Sequence, residues 1–367
     1  MKLRLTIMWI IVCMLLSGCT SWMDGEYSSV KPHMEEGYRE EQEIIPVSSY
    51  QEICDALEEM VASAVESGIL SVENYDSSRL SANMDLAIQY IRGSFPIGAY
   101  AVEKISYEIG TTGSGSAVAV TISYNYNRSV IPRIKQVNGT DAAERLIATA
   151  LNTCETTLVM LVEEYRSMDY PQIVRKYAQD RPAQVMETPQ VIASEYPNSG
   201  SMRVVELQFT YQNSRNILQS MQNYVQPVFA SAALYVSGEE EESIKFSQLY
   251  SFLMERNDYT VETSITPAYS LLRHGVGDSR AFAMVYAAMC SRALLDCQVI
   301  SGTKDGESWY WNIICEDGVY YHVDLLRSHN AGAYQKLADE EMTGYVWDYS
   351  AYPACGIPEE TKTDDAA

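Results

Sequence analysis

The 367-residue sequence predicts an α+β chain, with two small α/β modules in tandem followed by a larger α+β domain. Three observations carry this reading. The first is self-similarity at a spacing of about 85 residues. Val118, Val120, Ile122, Tyr124 and Tyr126 alternate with polar or small residues, as do Val205, Leu207, Phe209 and Tyr211. That period marks a strand with one buried face. The second is a pair of helical patterns ahead of each run. The third is a two-residue Asp317-Gly318 turn between apolar strands at Trp309–Cys315 and Val319–Leu325, the favoured hairpin chemistry.

In chain order, Lys2 and Arg4 precede an apolar run from Leu5 to Leu16, too short to span a bilayer comfortably. The run ends in Leu16-Ser17-Gly18-Cys19. This resembles the bacterial lipobox, which implies a signal peptide over 1–18 and a lipidated Cys19. Such an N-terminus anchors a chain to the outer face of the cell membrane without spanning it. Residues 19–48 are polar, acidic and aperiodic, as expected of a disordered tether, and so is the tail at 358–367.

The first module is expected over 49–136. Ile53, Leu57, Met60 and Val61 mark one face of a helix, and Met84, Ala87, Ile88 and Ile91 mark another. The second module is expected over 137–221. Its helices fall at Asp141–Leu151 and after Asp169-Tyr170-Pro171, where the Pro suits a first helical turn. Ser71–Tyr75 and Thr156–Met160 read as strands between the helices. Hairpin turns are expected at Gly113–Gly115 and Asn198–Gly200. Neither module holds a catalytic cluster, so a ligand-binding pair and a spacer are both open.

Residues 222–357 complete the chain. Glu242–Arg256 reads as a helix with Ile244, Leu249, Phe252 and Leu253 inward, and a second helix runs from Ser279 to about Leu295. The wording Gly277-Asp278-Ser279-Arg280-Ala281, Trp309-Tyr310-Trp311-Asn312 and Tyr320-Tyr321-His322-Val323-Asp324 resembles the catalytic core of the transglutaminase-like family. The resemblance implies a papain-like α+β domain in which Ser279 stands at the nucleophilic Cys position, Trp309 at the His position and Asp324 at the Asp position. After Asp324 the chain continues Leu325-Leu326, where the family has Pro-Thr.

A thiol at a helix N-terminus is activated by the dipole and by an adjacent imidazole, which the Asp orients. Ser279 keeps the place but lacks the acidity, and Trp309 cannot act as a base. Loss of the base alone costs a serine hydrolase on the order of 10⁶-fold in kcat. A non-catalytic domain follows. His322 is the candidate substitute base, although it lies about 7 Å along the strand from Asp324. Trp309 and Trp311 are the candidate binding residues, because aromatic faces suit a peptide or a sugar ring. His274 is a weaker candidate base, and Asp278 suits a helix cap.

The formal charge of −23 argues against a nucleic-acid partner, and removal of 1–18 would take away only cations. The expected partners are the membrane, through the lipid, and a protein, peptide or cell-wall ligand. No cofactor or metal signature is present; the four His are scattered and no Cys forms a CxxC pair. If Cys290 and Cys297 share one helix, their Cα atoms are roughly 10 Å apart and cannot be bridged. The expectation is a membrane-anchored extracytoplasmic lipoprotein that binds or scaffolds at the cell envelope. The alternatives are an acyl-transfer or amide-hydrolysing enzyme using Ser279 with a displaced base, and a structural spacer.

Overall fold

The computed structural model describes residues 44–112, 115–239 and 241–356. The expected signal segment, Cys19, most of the expected tether, the tip of the Gly113–Gly115 turn and the expected tail lie outside them.

The first sheet has the order β1 (Ile44–Pro46), β2 (Ser67–Ser71), β4 (Gly115–Tyr124), β3 (Val102–Thr112). Helices α1 (Tyr50–Ala62) and α2 (Ser77–Gly93) supply its core. Ser49 caps α1 by accepting the Glu52 N–H, and Asp76 caps α2 by accepting that of Ser78. The predicted stripe Ile53, Leu57, Met60 and Val61 is fully buried against Leu70, Val118, Val120 and Ile122. Each such side chain contributes about 1.5–3 kcal/mol. A short helix α3 (Pro96–Ala101) then leads into β3.

The second sheet has the order β5 (Lys135–Asn138), β6 (Thr157–Glu163), β8 (Arg203–Thr210), β7 (Gln190–Tyr196), with α4 (Gly139–Asn152) and α5 (Tyr170–Asp180). The two sheets thus share one strand order. In each, an antiparallel hairpin pairs its second strand with the strand between the helices.

Three details differ from expectation. Strand β2 stops at Ser71, because the following Val72–Asp76 turns into the α2 cap. Strands β1 and β5 were not foreseen; three or four residues are too few for an alternation to show. The boundary expected after residue 221 falls inside α6 (Arg215–Tyr235), one continuous helix with Pro227 in its interior.

Helix α6 and the helices α7 (Glu242–Met254) and α8 (Ser279–Arg292) bury one shared core. Phe229, Phe246, Leu249, Phe282 and Tyr286 lie in it, together with Cys154, Ala183 and Met186 from the region of the second sheet. The last sheet has the order β13 (Val319–Val323), β12 (Glu307–Glu316), β11 (Cys297–Lys304), β14 (Tyr345–Val346). Helix α8 is shorter than expected. It ends at Arg292, and Leu294 turns the chain with φ 61°. Cys297 therefore opens β11 instead of sharing the helix of Cys290. Both thiols are free, and burial, reinforced by Cys290, holds that of Cys297 well above the usual range.

No helix among the described residues is long and apolar enough to cross a membrane.

Candidate active site

The two-residue strands β9 (Asp258–Tyr259) and β10 (Val276–Gly277) pair in parallel and deliver the chain to α8. Gly277 is required there, because a Cβ would lie 2.9 Å from that of Ala281. Asp278 is the N-cap, its Oδ1 accepting the Ala281 N–H at 2.8 Å. Ser279 is the first residue of the helix and is 7 % exposed. Its Oγ accepts the Tyr310 backbone N–H at 3.3 Å, which ties the helix start to β12. Arg280 leaves its buried Nε without a hydrogen-bond partner.

Asp324 was expected on the last strand. Instead β13 stops at Val323, and Asp324 caps helix α9 (Leu325–Ala331). Its Oδ1 accepts the N–H groups of Leu326 and Arg327 at 3.0 and 3.1 Å. The Leu325-Leu326 departure therefore starts a helix. Its Oδ2 accepts from Tyr345 Oη at 2.6 Å, Trp309 Nε1 at 2.9 Å and Lys304 Nζ at 3.2 Å. A carboxylate this deeply buried is tolerated because it is met by a cation and a full set of donors. Lys304 also stands over the rings of Trp309 and Tyr345, 4.8 and 5.1 Å from their centroids. Burial, reinforced by Asp324, raises the Tyr345 phenol above its ordinary pKa, so it remains a donor.

Trp309, expected at the imidazole position, is thus a ring hydrogen-bonded to Asp324. Tyr259 leans on it, with centroids 5.7 Å apart. A recess of about 130 Å³ remains beside it, bounded by Tyr259, Lys304 and His329.

His322 does not serve Ser279. It is wholly buried, and both ring nitrogens are committed elsewhere. Trp311 Nε1 lies 3.0 Å from Nδ1, and Nε2 lies 2.9 Å from Asp339 Oδ1. An indole N–H only donates, so Nδ1 is the acceptor and Nε2 carries the proton toward Asp339. Burial pushes the imidazole pKa below its ordinary value, with Asp339 partly opposing the shift. Asp339 and Cys355 bring three ligand-type atoms within 4.8 Å of one another. Two features disfavour an ion there. The Trp311 bond keeps the proton on the very nitrogen a metal would need, and burial pushes the Cys355 thiol up to about 12.

Trp311 does not form a binding surface either. It is 1 % exposed and packs edge-on against Tyr345 and Trp347. Strand alternation put it on the face of Trp309 but could not show that this part of the face is core. His274 sits on the rim of another hollow against Tyr269. Sequence reasoning missed Lys304, Tyr345 and Asp339. Each reaches its partner only through tertiary pairing, and no local motif marks them.

Residues 230–353 match the model of the transglutaminase-like superfamily, less than half of the chain. They form a transglutaminase-like domain, and so a papain-like fold. No curated protein matches the chain. Among solved structures it is similar to a TGase, at 8 % identity and TM-score 0.26, covering 46 % of this chain and 50 % of that one. It thus spans half the length of that relative. It is also similar to a protein of Cytophaga hutchinsonii provisionally described as a cysteine protease (15 % identity, 43 % and 70 % covered, TM-score 0.25). A provisionally described protease of Parabacteroides distasonis is similar at 10 % identity, with 57 % and 46 % covered and TM-score 0.24.

Proposed function

We propose that the transglutaminase-like domain is non-catalytic and scaffolds or binds at the cell envelope. In this reading the chain is a lipoprotein held on the extracytoplasmic face through Cys19. The observation that carries it is a set of three hydrogen bonds that disarm the site. Trp309 takes the Asp324 oxygen that would orient an imidazole, and both nitrogens of His322 are engaged away from Ser279. A hydroxyl with no base beside it does not attack an acyl group at a useful rate. The recess left beside the indole, about 130 Å³, is small for a ligand, which favours a scaffold over binding at this place.

Two measurements test the reading. The wild type and Ser279→Ala are incubated with amide and ester substrates and with a fluorophosphonate probe. The expected result is no labelling and identical background turnover. Ser279-dependent turnover would establish the enzyme reading instead. Metabolic labelling with a palmitate analogue should mark the wild type and not Cys19→Ser, and the variant should leave the membrane fraction. An unlabelled wild type removes the anchor from the proposal.

A further inference from the structure

Away from Ser279, a cleft of about 720 Å³ lies between the second module and the transglutaminase-like domain. That volume is in the range of small-molecule sites. One wall is α5. This helix buries Tyr170, Val174 and Ala178, so Arg175, Lys176 and Gln179 line the cleft, with Arg181 just past the helix end. The opposite wall is β11 and the end of α8. Gln179 Nε2 donates to the Val299 carbonyl at 3.4 Å and ties the two walls together.

Charge sets this cleft apart. The chain carries 49 acidic and 26 basic residues, yet the cleft holds three cations and one carboxylate. The carboxylate, Asp180, is already occupied by Lys176 Nζ at 2.7 Å. Arg175 and Arg181 make no ion pair with any described residue. A positive recess in an acidic surface concentrates field lines on itself. Guanidinium forks match the paired oxygens of carboxylate and phosphate. Facing them, Gln298 and Ser301 offer a neutral amide and a hydroxyl to the body of a ligand.

We propose that this cleft binds a small polar polyanion, a molecule carrying at least two carboxylate or phosphate groups. The chain's net charge of −23 disfavours a long polyanionic chain, so the ligand is one that fits between α5 and β11. This inference holds whether or not Ser279 is catalytic.

Calorimetric titration of the full chain with citrate and with tripolyphosphate, at low salt, tests it. At least one probe should bind, and its affinity should fall as salt screens the arginines. In Arg175→Gln/Arg181→Gln the affinity should drop about tenfold or more, as expected when charge-assisted bonds are lost. Arg133→Gln/Arg145→Gln, on exposed surface elsewhere, should bind as the wild type does. Preference for citrate identifies a carboxylate ligand, and preference for tripolyphosphate a phosphate one. Failure of both probes overturns the proposal, as does binding unchanged in the cleft variant.

Discussion

Trp309 Nε1 donates to Asp324 Oδ2 at 2.9 Å. In this bond a buried carboxylate orients a ring on the neighbouring strand, and that ring cannot take up a proton. The frame around the site is intact: a helix N-terminus capped by Asp278, a buried Ser279 Oγ, and a buried carboxylate.

The first prediction exploits that intact frame. Ser279→Cys alone should give a thiol without a base. Ser279→Cys/Trp309→His should place an imidazole between it and Asp324 and shift the thiol toward thiolate. Iodoacetamide should alkylate residue 279 at pH 7 about tenfold faster or more in the double variant. Peptide mapping by mass spectrometry reads the rate at that residue, apart from the native thiols. Equal rates would mean that the ring at 309 does not reach the nucleophile.

Asp324 should matter for stability although it has no reaction to support. Asp324→Ala leaves Lys304, Trp309 and Tyr345 without their shared acceptor and uncaps α9. A cost of about 3–5 kcal/mol is expected from breaking a buried charge pair. Asp324→Asn keeps acceptor oxygen and should cost about 1–3 kcal/mol. Urea midpoints at pH 7 distinguish the two. A neutral Asp324→Ala would contradict the role given to this carboxylate.

His322 should impose an acid limit. Its folded pKa is depressed, so the unfolded chain takes up the proton first as pH falls. Its contribution is fully present above about pH 6.5 and is lost as pH drops toward the folded value. The slope approaches about 1.4 kcal/mol per pH unit for one proton. Unfolding free energies of wild type and His322→Asn, taken from pH 7.5 down to 5, should converge as the pH is lowered. Parallel curves would show that His322 is protonated equally in both states.

Local pattern reveals the helices and the paired strands of this molecule, because each buries one face over many residues. The stripe of Ile53, Leu57, Met60 and Val61 and the run Val205, Leu207, Phe209 are examples. The hairpin expected at Asp317-Gly318 is also formed, with Ile313 opposite His322. Pattern was silent on what His322 and Trp311 touch. Alternation assigns a face, while burial is decided by β14 and the Asp339 segment, which pack over that face from later in the chain. It was equally silent on Lys304, whose ammonium meets Asp324 across two strands of the sheet. That residue 309 is an indole was legible in the sequence, and that it bonds to Asp324 required three dimensions.

Trp309, Trp311 and Trp347, the three tryptophans among the described residues, all lie in or beside the last sheet. The two preceding sheets contain tyrosine but no tryptophan. With Trp9→Phe and Trp22→Phe, indole emission watches one end of the polypeptide while backbone dichroism watches all of it. The shared core of α6 and α8 makes a definite demand on the two signals: they should melt together. Were the indoles to go dark first, the seam through α6 would be the place where this chain comes apart.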